Sequence, residues 1–248
     1  VYKRQGGSVR WGSEPDEGQS HALNKAFAAS EGSIIGWINS DDAYFDQGAV
    51  EAVVDVFRSD PAVDLVYGHG ISVNADGLIL NVVPVPRFSM RLLMLTNYLV
   101  QPAVFVRRSA LGDSVIDEGF DFAMDYELWL RLAADGATRR NWRRLDRILA
   151  VDRLQAERKS VVAREVCLAD LDTLAGRYGI DLAFVEGKLW ARAALAALHA
   201  AQRLTGARLL LGMSEEVAFT APPRAKQGLA RRQLFARRSR MPAEGVQG

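Results

Sequence analysis

The chain has 248 residues, 49% of them hydrophobic and 25% charged, enough apolar material for one sizeable core and too much for a disordered or fibrous chain. Its formal net charge of +1 hides an asymmetry, because residues 222–248 hold seven basic side chains (Arg224, Lys226, Arg231, Arg232, Arg237, Arg238, Arg240) against Glu244, which leaves 24 basic and 29 acidic residues in the body. No run reaches the roughly 18 uninterrupted apolar residues of a membrane span, since Arg192, His199, Arg203 and Arg208 break the stretch from Leu189 to Met213.

In chain order, Val1-Tyr2-Lys3-Arg4-Gln5 is what GTG-TAT-AAG-AGA-CAG encodes, a run from a common sequencing-library adapter, so residues 1–5 read as an assembly scar. Periodicity then predicts a short helix over Gln19 to Ser30, a buried strand over Ser33 to Asn39, and a helix over Gly48 to Arg58 with Val50, Val53, Val54 and Phe57 on one face. Leu65 to Tyr67 reads as a strand, and His69 as a polar loop residue after it. Ile71-Ser72-Val73 and Leu78-Ile79-Leu80 flank Asn74-Ala75-Asp76-Gly77, whose Asp and Gly suit a hairpin. Pro84 and Pro86 mark a loop and Met90 to Leu95 a helix. Ala103 to Arg107 is the next strand, Asp125 to Ala134 a helix with Leu128, Trp129 and Leu132 inward, and Ile148 to Leu154 a last strand. From Val161 onward the pattern is helical. The expected organisation is 1–5 scar, 6–160 partial α/β domain, 161–221 helical extension and 222–248 basic tail, the tail being either solvated or in contact with anionic lipid. The single cysteine, Cys167, has no internal disulfide partner, which fits a reducing compartment, and the chain reads as cytoplasmic or peripheral to the inner membrane.

Three features carry chemistry. Ile34-Ile35-Gly36-Trp37-Ile38-Asn39-Ser40-Asp41-Asp42 is an apolar run that ends in adjacent carboxylates, hard oxygen donors suited to Mg²⁺ or Mn²⁺ and through it to a diphosphate. The same pair could also be a turn or a helix N-cap. Asp125 opens a helix, where free backbone N–H groups hold a carboxylate as cap or as base. Gln101-Pro102 precedes a strand, and a side-chain amide there can bond sugar hydroxyls in either direction. Glu127 is spaced to pair with Arg131.

Glu14-Pro15-Asp16-Glu17-Gly18-Gln19-Ser20-His21-Ala22-Leu23-Asn24-Lys25, then Gly36 to Asp42, and downstream Gln101 to Arg108 ahead of Asp117-Glu118 and Ala123 to Arg131, resemble the family 2 glycosyltransferases of the GT-A fold, from about Trp11 to Ser160. The resemblance implies a GT-A-like nucleotide-diphospho-sugar transferase fold: a mixed, mostly parallel sheet flanked by helices, here lacking its first strand-helix units and bearing a helical C-terminal extension. It implies a hexosyltransferase-type enzyme that moves a sugar from a nucleotide-sugar donor to a hydroxyl of a saccharide or lipid-linked acceptor, as in bacterial polysaccharide or glycolipid assembly. Mg²⁺ or Mn²⁺ would sit on Asp42, with Asp41 turned to the ribose or a metal-bound water, and Asp16, Gln19 and Asn24 would face the nucleotide. Gln101 would lie in the acceptor or donor-sugar loop. Asp125 matches the catalytic base, and a single in-line displacement would invert the anomeric centre. Two departures stand out: His69 where relatives usually carry an acid, and Gln155 where they often carry His, with Arg158 and Lys159 left as candidate phosphate contacts. The competing readings are a truncated, non-catalytic remnant or binding module, and a nucleotidyltransferase of the same fold. Nucleic acid is not an expected partner, since the basic tail has no aromatic besides Phe235.

Overall fold

The computed structural model of the protein describes residues 12–74, 77–112, 115–135, 141–153, 164–180 and 189–211. Its elements are α1 (Gln19–Ala29), β1 (Ile34–Ile35), β2 (Ala43–Tyr44), α2 (Gly48–Ser59), β3 (Leu65–Val73), β4 (Ile79–Val83), α3 (Met90–Leu93), β5 (Val104–Arg107), α4 (Met124–Ala134), β6 (Trp142–Arg153), α5 (Arg164–Tyr178) and α6 (Leu189–Leu211). They build an α/β architecture, a mixed sheet flanked by helices. The strand order is β1-β5-β3-β6-β2, with β4 paired to the remaining length of β3.

All nine residues of β3 are buried, which makes it the spine of the sheet. Leu65 to Tyr67 pair with β5, Gly70 to Val73 with β4, and β6 runs along the other edge from Leu65↔Trp142 to Val73↔Arg153. The expectation of a break around Gly68-His69-Gly70 is corrected: the strand continues through, with its register against β6 shifting on either side of His69. Glycine is needed here for close approach, not for a turn, because a Cβ on Gly68 would come 2.6 Å from Leu149 Cδ1 and 2.8 Å from the Arg147 carbonyl oxygen. His69 is accordingly a buried strand residue.

The sheet also departs from the mostly parallel arrangement. Among the described residues only β3–β6 is parallel, and β1–β5, β2–β6, β3–β4 and β3–β5 are antiparallel. A parallel pair needs a long crossover. Here that crossover carries β4, α3, β5 and α4, and β4 and β5 fold back against β3 on its free edge. β1 and β6 also differ in length from their sequence patterns. β1 keeps only Ile34 and Ile35 in the ladder, because Gly36 lies against the Phe105 ring and the Trp37 carbonyl accepts the Gln101 side-chain N–H at 2.6 Å in place of a neighbouring strand. β6 starts six residues early, at Trp142, and its first half is charged: Arg143 reaches Asp60 at 2.9 Å and Arg147 reaches Asp46 at 2.8 Å on the surface.

The core lies on both faces. On one, α2 buries Ala49, Val53 and Phe57 against Val66, Phe105 and Leu149, with Val50 39% exposed instead of joining that face. Each large apolar side chain buried there contributes about 1.5–3 kcal/mol. On the other, Phe27, Trp37, Trp129 and the α4 leucines pack together, Trp37 stacking on Trp129 with ring centroids 5.7 Å apart. Leu209 of α6 covers the distal end beside Val82 and Val151. The Asn74 to Gly77 turn forms as expected at its two ends, where the Leu78 amide donates to Asn74 Oδ1 at 2.8 Å and Gly77 adopts φ 76°; Ala75 and Asp76 lie outside the described residues. Among the described residues no helix is long and apolar enough to cross a membrane.

Candidate functional site

A cavity of about 1020 Å³ opens beside β1 and the N-terminus of α4. Five of the residues singled out in the sequence line it: Gln19, Asp41, Asp42, Gln101 and Asp125.

One wall is the turn between β1 and β2. The Asp42 amide donates to the Asn39 carbonyl at 3.1 Å, and Asp42 Oδ2 accepts from Asn39 Nδ2 at 3.0 Å, so the acid closes its own turn. The pairing of β2 with β6 brings the end of β6 alongside, where the Arg153 amide donates to Asp42 Oδ1 at 3.2 Å. Arg153 Nε reaches the Asp41 carbonyl at 3.2 Å. Burial pushes the Asp42 carboxyl up to about 6, opposed by the Arg153 N–H and assisted by the neighbouring Asp152 and Asp41 charges. A half-buried carboxylate with two acidic neighbours suits a divalent cation. Among the described residues no group of three or more His, Cys, Asp or Glu side chains is arranged to hold a metal ion. Two adjacent carboxylates are the protein share of the hard-cation pattern in which substrate phosphates complete the coordination.

Asn39 is the hub of this wall, and the sequence reading gave it no role. Its Oδ1 accepts from Gln19 Nε2 at 3.1 Å and its Nδ2 faces Gln101 Oε1 at 3.4 Å as well as Asp42. Gln19 from α1 and Gln101 from the 3₁₀ turn Gln101–Ala103 thus converge on the residue that holds the acid.

The opposite wall is α4. Asp125 sits in its first turn, where Oδ1 accepts the Tyr126 amide at 2.7 Å and Oδ2 accepts Asn97 Nδ2 at 3.2 Å. The Leu99 amide donates to Asn97 Oδ1 at 3.3 Å, which fixes the amide so that its NH₂ faces the acid. Burial raises the Asp125 pKa, with the Tyr126 and Asn97 bonds opposing. Asn97 also lines the cavity. Nothing in its local pattern marks it, because its importance arises from a contact 28 residues along the chain.

Two expected nucleotide contacts lie elsewhere. Asn24 clamps the segment before α4: its Nδ2 donates to the Ile116 carbonyl and to Glu118, both at 2.8 Å, and its Oδ1 accepts the Ile116 amide at 2.9 Å. Asp16 is exposed and accepts the Gly18 amide at 3.1 Å at the start of α1. Neither lines the cavity. Glu127 does pair with Arg131 at 3.2 Å, but it is buried and also accepts from the Tyr178 hydroxyl at 2.5 Å. His69 is no loop residue: its Nδ1 accepts the Val85 amide at 3.0 Å and its Nε2 faces Asp146 at 2.8 Å, which requires the neutral Nε2–H tautomer. Burial lowers its pKa, in keeping with that state. Gln155, Arg158 and Lys159 lie outside the described residues.

Comparison with known proteins gives one family and distant structural likenesses. Residues 3–113 match the model of Glycosyl transferase family 2. No curated protein matches. Among solved structures, glucosyl-3-phosphoglycerate synthase from Mycobacterium tuberculosis in complex with phosphoglyceric acid is 18% identical, with a TM-score of 0.44 over 68% of this chain and 58% of that one. The same enzyme in complex with Mn²⁺, uridine diphosphate and glucosyl-3-phosphoglycerate is likewise 18% identical, with a TM-score of 0.44 over 67% of this chain and 57% of that one. The chain thus spans under two thirds of the length of these structures. The motif that ends in Asp41 and Asp42, together with Gln19, Asn39, Asn97 and Gln101, falls inside the stretch that matches the Glycosyl transferase family 2 model.

Proposed function

We propose that the protein transfers a sugar from a nucleotide-sugar donor to an acceptor hydroxyl, with inversion at the anomeric carbon and with Mg²⁺ or Mn²⁺ required. The observation that carries this reading is the meeting of the Asp41-Asp42 turn and Asp125 in one cavity, within a chain whose residues 3–113 match a glycosyltransferase family model. Asp125 itself lies beyond the matched residues, so its role rests on the geometry and on the resemblance of its helix.

In this mechanism Asp42, with Asp41 beside it, would hold the cation. When bound, the ion neutralises charge on the departing nucleoside diphosphate. Asn39 keeps the Asp42 carboxylate turned to the cavity. Asp125 accepts the proton of the acceptor hydroxyl as that oxygen attacks, and its raised pKa brings it closer to the operating pH of a general base. Gln101 and Gln19 hold Asn39 and the Trp37 carbonyl in place, so they shape the donor side through neighbours. A hexose as the transferred sugar, a saccharide or lipid-linked acceptor, and bacterial polysaccharide or glycolipid assembly at the cytoplasmic face of the inner membrane complete the proposal.

The test is calorimetric binding of UDP, GDP and dTDP with and without Mn²⁺, in the wild type and in Asp42→Ala and Asp125→Asn. Metal-dependent binding that Asp42→Ala abolishes and Asp125→Asn retains is expected. Absence of binding to all three, with or without metal, would overturn the donor site and favour a non-catalytic binding module.

A further inference from the structure

α4 starts at a residue that cannot cap it. Its N-cap residue is Ala123, and no side chain at that position can accept the free amides of the first turn. The two amides just ahead of that turn are held from another helix: Asp170, in the middle of α5 and only 7% exposed, takes the Phe122 amide at 2.7 Å and the Ala123 amide at 2.9 Å on a single oxygen, Oδ2. A carboxylate so placed also complements the positive end of the α4 dipole.

Asp170 does not act alone. Leu174, Arg177 and Tyr178 follow it at the i+4, i+7 and i+8 spacing of one helix face. Leu174 is fully buried in the core around Trp129, Arg177 pairs with Asp117 and lies over the Phe120 ring at 5.0 Å, and Tyr178 donates to Glu127. One face of α5 therefore grips the chain from Asp117 to Glu127, the stretch that includes Phe122, Met124 and Asp125 of the cavity wall. On the opposite wall Asp42 is held by Asn39 and the end of β6.

We propose that Asp170 is a positioning residue for the transfer reaction: by capping α4 from α5 it sets where Asp125 stands in the cavity, which makes α5 part of the active-site construction. The proposal rests on the reading of Asp125 as the base. It assigns a role to a helix that lies wholly beyond the family-matched residues.

The test uses the full chain as wild type, Asp170→Ala, Asp170→Asn, Leu174→Ala and Asp125→Asn. Three quantities are read: UDP affinity with Mn²⁺, release of UDP from UDP-glucose and UDP-galactose, and the ¹³C titration of the Asp125 carboxyl, assigned by its loss in Asp125→Asn. Asp170→Ala is expected to leave UDP affinity within about twofold and to slow release by about tenfold or more. It should also return the Asp125 titration toward the ordinary carboxylate range as the first turn of α4 opens to water. Asp170→Asn keeps an acceptor oxygen and should restore most of both. Leu174→Ala removes buried volume from the same helix and should lower the melting temperature without moving the Asp125 titration.

The proposal is overturned if Asp170→Ala behaves as Leu174→Ala does, losing thermal stability while the Asp125 titration stays at its wild-type position. Full turnover in Asp125→Asn would instead remove the base assignment, a separate failure. Where neither probe sugar is turned over, the carboxyl titration alone decides.

Discussion

The two walls of the cavity are built in different ways. The Asp41-Asp42 turn is held first from within, by Asn39, the turn hydrogen bond and β2 a few residues away, with the end of β6, Gln19 and Gln101 added from afar. The Asp125 wall is an assembly of distant parts: Asn97 from the loop after α3, Asn24 from α1, and Asp170, Arg177 and Tyr178 from α5. A local wall can be carried as a short motif. A wall assembled from four elements depends on the whole domain being folded around it.

Breaking each wall separately should separate binding from turnover. The largest expected effect is on the assembled side, where Asp125→Asn should cut the transfer rate by about a hundredfold or more while Mn²⁺-dependent UDP affinity stays near wild type. Equal loss of both would mean that the walls are not independent. On the local side, Asn39→Ala removes the side-chain donor that orients Asp42, and metal-supported UDP affinity should fall about 10- to 100-fold by calorimetry. Stability should fall much less, because the turn hydrogen bond is main-chain.

Acidity sharpens the same contrast. Asp42 has its folded-state pKa raised to about 6 from an ordinary value of 3.8, so in metal-free protein the unfolded chain loses this proton first and stability declines as pH rises between those values. A urea titration of metal-free protein at pH 4.5 and pH 7 should show that decline, and Asp42→Asn should flatten it. The smallest effect is expected at Asn24. Loss of its three hydrogen bonds to Ile116 and Glu118 should cost about 1–3 kcal/mol in urea unfolding with UDP affinity unchanged. A selective drop in affinity would instead return Asn24 to the nucleotide side.

The difference between the walls also explains what could be read from the sequence. The apolar run into Asp41-Asp42 was legible because strand, turn and acids are contiguous, and Asp125 because a helix start leaves a local signature. Asn97 and Asp170 were not, since neither has a pattern of its own and each matters through a partner 28 or 47 residues away. Asn39 stood inside the motif and was passed over beside the acids it supports. The sheet was misjudged for a related reason. Gly68 and Gly70 look like chain breakers until Leu149 and Val100 are found pressed against them, and the charged opening of β6 looks like a loop until its arginines are seen paired on the surface. The crowding that turns a glycine from a break into a fit exists only after folding.

The parallel β3–β6 pairing has a consequence for how the molecule can be cut. Leu65 meets Trp142 and Val73 meets Arg153 only after a loop of some eighty residues has closed, so the centre of the sheet is a slow, non-local contact. A fragment that stops at residue 113 would keep the family match and lose β6, leaving one whole edge of β3 with bare amides and carbonyls. Such an edge recruits other chains. The fragment is expected to self-associate and to lose the Arg153 amide from Asp42, so the boundary of the family match is not a boundary at which this protein can fold.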